Sequence, residues 1–257
     1  MNIGVIGLGM VGTQVQRWFD AKGHDLWVHD KNKESHSMAE VNENADYIFV
    51  CVPTPQAKDG SCDTSIVEDV VSKINDGKVV IIKSTVPPGT TEKLQEKYPL
   101  KKMLFNPEFL RERTAWDDFI KPPRQVMGYT RKSYEEAKII GDTLPDAPCN
   151  VAIPATEAEL IKYWSNCWLA NKLIMANQVY DVCEKLGLVY DRVKKIVLTD
   201  PRMGESHLDI WMDGYRGYGG KCLPKDVSAF IQFCKELGLK PELMQTVHKI
   251  NEGLLKK

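Results

Sequence analysis

Three glycines in the run Gly7-Leu8-Gly9-Met10-Val11-Gly12, set between an apolar stretch at residues 3–6 and an amphipathic one, constrain this chain more than any other feature. The first glycine suits a tight turn out of a strand. The second leaves the backbone bare where a pyrophosphate would meet a helix N-terminus, and the third lets helix and strand pack closely. Asp30 closes the next apolar run 18 residues after Gly12, where a carboxylate accepts a hydrogen bond from a ribose 2′-hydroxyl. The pattern predicts a βαβ unit that binds a dinucleotide. The acid favours NAD over a 2′-phosphorylated cofactor, with Lys31 and Lys33 partly offsetting that preference.

Beyond this unit, short β-rich runs at residues 47–52, 79–82, 103–105, 126–129 and 150–153 alternate with amphipathic segments, which implies parallel pairing. After Pro154 the strand signals stop. Thr156 and Glu159 have the spacing of a capping box in front of a helical pattern that runs to Gly187, and further helical patterns cover residues 191–198, 227–237 and 242–255. The expected fold is therefore α/β, a Rossmann doubly wound parallel sheet over residues 1–153, followed by an all-helical domain over residues 154–257. Residues 204–225 show no clear period, and so long an irregular stretch is usually functional or disordered.

Bulk properties narrow the partners. The 34 basic and 35 acidic side chains nearly cancel, so no broad field attracts nucleic acid or a membrane surface. Apolar runs such as Val79-Val80-Ile81-Ile82 fall far short of the roughly 20 residues that span a bilayer. Met1 leads directly into a strand-like segment without a signal-peptide pattern, and a cytoplasmic location is expected. Seven cysteines without a C-x-x-C pair argue against a disulfide framework or a structural zinc site, and no metal is expected.

In an open sheet, ligands gather beyond the carboxyl ends of the strands, which directs attention to the loops at residues 52–55, 84–91 and 106–112. Asn106 followed by Pro107 reads as an N-cap and first helical position, which would set Glu108 and Glu112 on one helical face. Buried together, one of the two carboxyls would have a raised pKa and could carry protons. Lys162 and Asn166 stand four apart on the long helix, among Tyr163, Trp164, Cys167 and Trp168, a setting that can enclose an ammonium able to stabilise an oxyanion. In Gly217-Tyr218-Gly219-Gly220-Lys221-Cys222-Leu223-Pro224-Lys225-Asp226, glycines allow close backbone approach. Two lysines near a helix start would favour the thiolate of Cys222.

Taken together, these segments and residues 200–204 resemble the UDP-glucose/GDP-mannose dehydrogenase family in order and spacing, over essentially the whole chain. The resemblance implies a four-electron oxidation of a sugar C6 alcohol to a carboxylate with two NAD. It assigns catalysis to Cys222 as nucleophile, to Lys162 and Asn166 as oxyanion partners, and to Glu112, Thr85 and Asp226 in handling water and protons. Substrate contacts are implied for Glu108, Phe109, Leu110, Arg202, Tyr218 and Gly219. Cofactor contacts are implied for Gly7, Gly9, Met10, Val11, Gly12, Asp30, Pro53, Thr54, Thr85 and Lys225. The expected partners are a nucleotide-sugar substrate and a second copy of the chain joined through the helical domain, with a further protein able to supply nucleotide contacts. The sequence departs from the family pattern at Arg113 and Lys221 and stops at Lys257, before the family's third, nucleotide-binding domain. Two other readings share parts of the pattern. A truncated NAD-binding subunit would keep the fold without independent turnover, but has no need of Cys222, Lys162 and Glu112 together. A 3-hydroxyacid dehydrogenase-like enzyme would need no cysteine and would reduce one NAD per substrate.

Overall fold

A computed structural model describes residues 1–212 and 214–256; Asp213 and Lys257, the latter closing the expected helical domain, lie outside the described residues. The chain divides into two compact units, Met1–Pro55 with Asp63–Lys162, and Gln56–Cys62 with Tyr163–Lys257.

The first unit runs β1 (Asn2–Ile6), α1 (Met10–Ala21), β2 (Asp25–His29), α2 (Met38–Asn44), β3 (Tyr47–Val50), α3 (Ser65–Lys73), β4 (Val79–Ile82), α4 (Thr90–Lys97), β5 (Lys102–Phe105), α5 (Ala115–Ile120), β6 (Arg124–Tyr129), α6 (Tyr134–Gly141), β7 (Cys149–Pro154) and the first turns of a long helix, α7 (Ala155–Leu186). One sheet holds all seven strands in the order β2-β1-β3-β4-β5-β6-β7. The interior strands are apolar on both faces, and their period of two sorts residues into two layers. Ile48, Val50, Val80, Ile82, Met103 and Phe105 face one layer. Ile3, Val5, Phe49, Ile81 and Leu104 pack into the other, with Val15 and Phe19 of α1.

The sheet is mixed rather than wholly parallel, because β6 pairs antiparallel with β5. A parallel partner needs a crossover along the whole length of the strand. Residues 106–123 hold only a 3₁₀ turn, Glu112–Thr114, and the six-residue α5, so β6 starts where β5 ends and runs back. Strand order reverses between β1 and β3, and the loops that leave these two strands are residues 7–9 and 51–55.

The second unit holds the remainder of α7, then α8 (Tyr190–Val197), β8 (Trp211–Met212), β9 (Tyr215–Arg216), α9 (Leu223–Glu236) and α10 (Glu242–Leu255). Cys167, Ala170 and Ile174, at intervals of three and four on α7, form its core with Val227 and Ile231 of α9 and Met244, Val247 and Leu254 of α10. Gly187 ends α7 at a φ of 66°, a conformation glycine adopts without steric cost. Helices dominate here, yet the stretch without periodicity contains the antiparallel β8–β9 ribbon. Its strands are too short to show alternation in sequence. Arg216 fastens the ribbon by donating to the Asn177 side chain and carbonyl, and pairs with Asp181 at 2.8 Å. The segment Gln56–Cys62 is held in this unit by Ser228, whose hydroxyl donates to the Gly60 carbonyl and accepts from Gln56.

The predicted capping box at Thr156 and Glu159 does not form, because α7 already begins at Ala155. Glu159 instead caps a different helix. Its carboxylate accepts from the Gly89 N–H at 2.6 Å, the Thr91 N–H at 2.8 Å and the Thr91 hydroxyl at 2.6 Å, satisfying two amides at the start of α4 that have no intrahelical partner. Burial pushes this carboxyl up to about 7 against the pull of those donors. A folded pKa above the ordinary 4.5 means that the folded state binds the proton more tightly than the unfolded chain does. The contribution to stability is then full below pH 4.5 and declines as pH rises towards 7. In thermal melts between pH 5 and 8, Glu159→Gln should flatten the fall of Tm with pH seen in the parent. An unchanged slope would remove Glu159 as its source.

Candidate active site

At the end of β1, Gly7 adopts a φ of 91°, and a Cβ there would sit 2.7 Å from the Cys51 carbonyl oxygen. A Cβ on Gly12 would lie 1.8 Å from the Gly7 oxygen, so only glycine lets α1 approach the turn this closely. At Gly9, the exposed N-cap of α1, a Cβ would meet none of the described atoms within 4 Å. Close packing on one side and bare backbone at the helix N-terminus on the other fit a dinucleotide pyrophosphate. Met10 and Val11 are half-buried on the first turn of α1. Asp30 accepts from the Leu8 N–H at 2.7 Å and the Asn32 N–H at 2.9 Å. Burial opposes its ionisation, but these bonds and Lys33 outweigh it and hold the carboxyl below its ordinary value. The acid expected at the ribose thus also braces the glycine turn. Lys33 donates to the Leu8 carbonyl at 2.5 Å, which spends one of its protons within the loop.

The loops after β3 and β4 are stitched to each other. Ser84 donates to the Val52 carbonyl at 2.7 Å, and Thr54 donates to the Thr85 carbonyl at 2.9 Å. Thr54 is buried and Thr85 half-buried, while Pro53 is exposed. Thr54 and Thr85, both expected at the cofactor, are therefore neighbours in one rigid rim.

After β5 the structure overturns the expected helix. Residues 106–111 are extended or irregular, and Glu108 and Glu112 do not share a helical face. Asn106 caps nothing. Its amide donates to the Val126 carbonyl at 2.7 Å and to Gln125 at 3.2 Å, and its Oδ1 accepts from Lys83 at 2.6 Å. Lys83, 4% exposed, also donates to the Asn106 backbone carbonyl at 3.2 Å. A buried ammonium requires acceptors, and these bonds hold Asn106 in place as the loop's anchor instead of leaving it to cap a helix. Burial drags Lys83 down to about 8.

Glu108 is buried too, and its carboxylate receives Lys162 at 2.9 Å and the Leu110 N–H at 2.8 Å, while the Glu108 carbonyl accepts Lys162 at 2.7 Å. Burial alone would raise this carboxyl. Lys162, the Leu110 amide and Lys83 outweigh it and hold the group below the usual carboxylate range. Glu108 is thus an ionised acceptor, not the raised-pKa acid that the helical pairing would have produced. Glu112 lies exposed in the 3₁₀ turn, next to Arg111, which pairs with Asp118 at 2.6 Å and depresses that carboxyl to about 2. Phe109 and Leu110 are half-buried, and a cavity of about 30 Å³ opens beside Lys83, Glu108, Phe109 and Arg124. That volume suits about two waters.

In the second unit, Asn166 donates to Asp226 at 2.5 Å, and Lys225 pairs with the other oxygen of the same carboxylate at 2.5 Å. Asp226 is 1% exposed, so both partners offset the cost of burying its charge. The lysine expected to serve cofactor or thiolate is thereby turned towards Asp226. Cys222 is the exposed N-cap residue of α9, and its carbonyl accepts the Asp226 N–H at 2.9 Å. Tyr218 is buried, and a Cβ on Gly219 would come within 2.6 Å of the Tyr215 hydroxyl. Arg202 is highly exposed and pairs with Asp200 at 2.5 Å.

Sequence reasoning missed Lys83 and misassigned Asn106 and Glu159. A lysine directly after four apolar strand residues, Val79–Ile82, was the available signal, since such a position is buried on both sides.

Family models match both parts of the chain: the NAD binding domain of the UDP-glucose/GDP-mannose dehydrogenase family over residues 33–140, and the central domain of that family over residues 156–253. The UDP-glucose 6-dehydrogenase AglM of Haloferax volcanii is 31% identical, covering 98% of this chain and 70% of its own length. The UDP-glucose 6-dehydrogenase of Rickettsia felis is 34% identical over 82% of this chain and 48% of its own length. Among solved structures, a UDP-glucose dehydrogenase from the hyperthermophilic archaeon Pyrobaculum islandicum superposes with a TM-score of 0.89 at 32% identity, over 98% of this chain and 68% of that one.

Replacing Lys83 by Met would leave two buried Asn106 oxygens without their donor and remove one of the two ammoniums near Glu108. Denaturant unfolding should show a loss of about 2–4 kcal/mol. A loss below about 0.5 kcal/mol would mean that Lys83 does not anchor the loop.

Proposed function

Because the chain belongs to the UDP-glucose/GDP-mannose dehydrogenase family and is an NAD-dependent oxidoreductase of the nucleotide-sugar dehydrogenase type, we propose that it oxidises the C6 alcohol of a UDP-hexose or similar donor to a carboxylate, in a cytoplasmic setting. The observation that carries this reading is an exposed Cys222 at the start of α9, one helical turn from a buried Asp226 braced by Asn166 and Lys225. Cysteines that serve packing are usually buried, as Cys51, Cys167, Cys183 and Cys234 are, and a buried carboxylate with two partners is a costly arrangement for a helix that only needs to pack.

NAD, when bound, accepts one hydride in each of the two oxidations. In this reading, residues 7–12, Asp30, Pro53, Thr54, Thr85 and Lys225 hold it. The alcohol is first oxidised to the aldehyde, and the Cys222 thiolate adds to the C6 carbon to give a thiohemiacetal. Loss of the second hydride from that carbon leaves a thioester. Water then adds, the carbon–sulfur bond breaks, and thiolate and carboxylate separate. Covalent retention keeps the aldehyde from escaping and divides a difficult oxidation into two. Lys162 and Asn166 stabilise the oxyanions, and Glu112, Thr85 and Asp226 orient water and carry protons. Glu108, Phe109, Leu110, Arg202, Tyr218 and Gly219 form the substrate side. The ionised state of Glu108 suits it to accept from sugar hydroxyls.

A homodimer through the helical part is included in the proposal, and a further protein can add nucleotide contacts. Support comes from α7, where Trp164, Trp168, Met175, Val182 and Leu186 are all exposed. Spacings of four, seven, seven and four residues align them as one stripe along the helix. An apolar stripe of that length suits burial against a second copy.

With NAD and a panel of UDP- and GDP-hexoses, the chain should form two NADH per sugar oxidised, and Cys222→Ala should lower the rate by at least about 10³-fold. One NADH per sugar, or an undiminished rate in the variant, would refute the cysteine route. In sedimentation velocity, the parent should run as a dimer and Trp168→Glu as a monomer with unchanged circular dichroism. A monomeric parent would dispose of the helical interface.

A further inference from the structure

The segment that carries Cys222 is tied down at two places. On its far side, the Cys222 carbonyl is already part of α9, whose Val227 and Ile231 are fixed in the core. On its near side the tie comes from another helix. Asn251 of α10, 2% exposed, accepts the Tyr218 N–H through Oδ1 at 2.7 Å and donates from Nδ2 to the Tyr218 carbonyl at 2.8 Å. One carboxamide thus supplies both bonds that a neighbouring strand would give to an extended residue. The Tyr218 side chain is itself 1% exposed and packs between α7, α9 and α10, so water cannot readily replace either bond.

Gly217 is matched to this clamp. It has a φ of 81°, and a Cβ there would lie 2.4 Å from Asn251 Oδ1 and 3.4 Å from Leu254. Any side chain at residue 217 would push the carboxamide off the Tyr218 backbone. Between the clamp and Cys222, the N-cap of α9, only residues 219–221 remain, with Gly220 at a φ of 72°.

We propose that Asn251 is a positioning residue for Cys222. By fixing the Tyr218 backbone four residues ahead of the thiol, it makes α10, which contributes no group to the chemistry above, determine where the sulfur stands. The functional part of this inference rests on the cysteine reading, but the positioning part does not.

The test uses the full chain with Asn251→Asp, whose carboxylate cannot donate to the Tyr218 carbonyl, and Gly217→Ala, which strikes the clamp from the other side. Alkylation by iodoacetamide is followed peptide by peptide, with Cys149, exposed in the first unit, as internal reference. In both variants the Cys222 rate should change about fivefold or more while Cys149 and NAD affinity stay at parent values. Turnover should fall about tenfold or more with KM for NAD unchanged. Unchanged Cys222 reactivity in either folded variant overturns the proposal, as does an equal change at Cys149, which would mean general loosening. Altered Cys222 reactivity in a protein whose Cys222→Ala form still makes NADH supports the clamp and sinks the catalytic reading instead. Should neither variant fold, hydrogen exchange on the parent decides. A Tyr218 amide as protected as the α9 amides supports the clamp, and exchange at the rate of an open loop overturns it.

Discussion

The buried ammonium of Lys83 organises the carboxyl end of the sheet. It stands one residue beyond β4 and binds both oxygens of Asn106, one residue beyond β5. Two adjacent strands are thereby tied together just where their loops diverge. Asn106 continues the tie to β6 through Val126 and Gln125. Everything downstream follows from this anchor: an irregular rather than helical path after β5, a buried Glu108, and the contact of Glu108 with Lys162. Isolated burial of any one of these charges would be prohibitive, and the cluster is tolerable because each member satisfies another.

Much of the architecture was legible because it rests on periodicity. Interior strands with apolar residues on both faces, such as Val79–Ile82, and the intervals of three and four along α7 can be read from one chain without knowing what lies opposite. The glycine turn was legible for a related reason, since each glycine answers a purely local steric demand. Asn106 and Glu159 show where that legibility ends. Both look like helix-capping residues in sequence, and both spend their polar atoms on distant partners, Val126 and Thr91. Local propensity offers a capping bond on the order of 1 kcal/mol, and a buried group that would otherwise be unsatisfied outbids it. The β8–β9 ribbon was illegible because two residues per strand carry no period.

For the site residues, sequence identified which side chains were unusual, and the structure shows what restrains them. Lys162 and Asn166 are indeed enclosed, as their aromatic neighbours implied, but they answer to different partners, Glu108 and Asp226. Lys225 was read as support for the thiolate, whereas it pairs with the adjacent carboxylate. A flanking lysine predicts an electropositive neighbourhood only when no acid is nearer, and the acid here is the next residue.

The capping of α4 by Glu159 also bears on the order in which the first unit can be assembled. The bond from Gly89 spans 70 residues, so the N-terminus of α4 stays incompletely bonded until β5, β6, β7 and the start of α7 have been made and docked. Contacts of such long sequence separation form late, because the chain must first close the loop between them. The start of α4 is therefore among the last parts of its unit to complete its bonds, and a nascent chain that has not yet reached residue 159 holds that helix end unfinished.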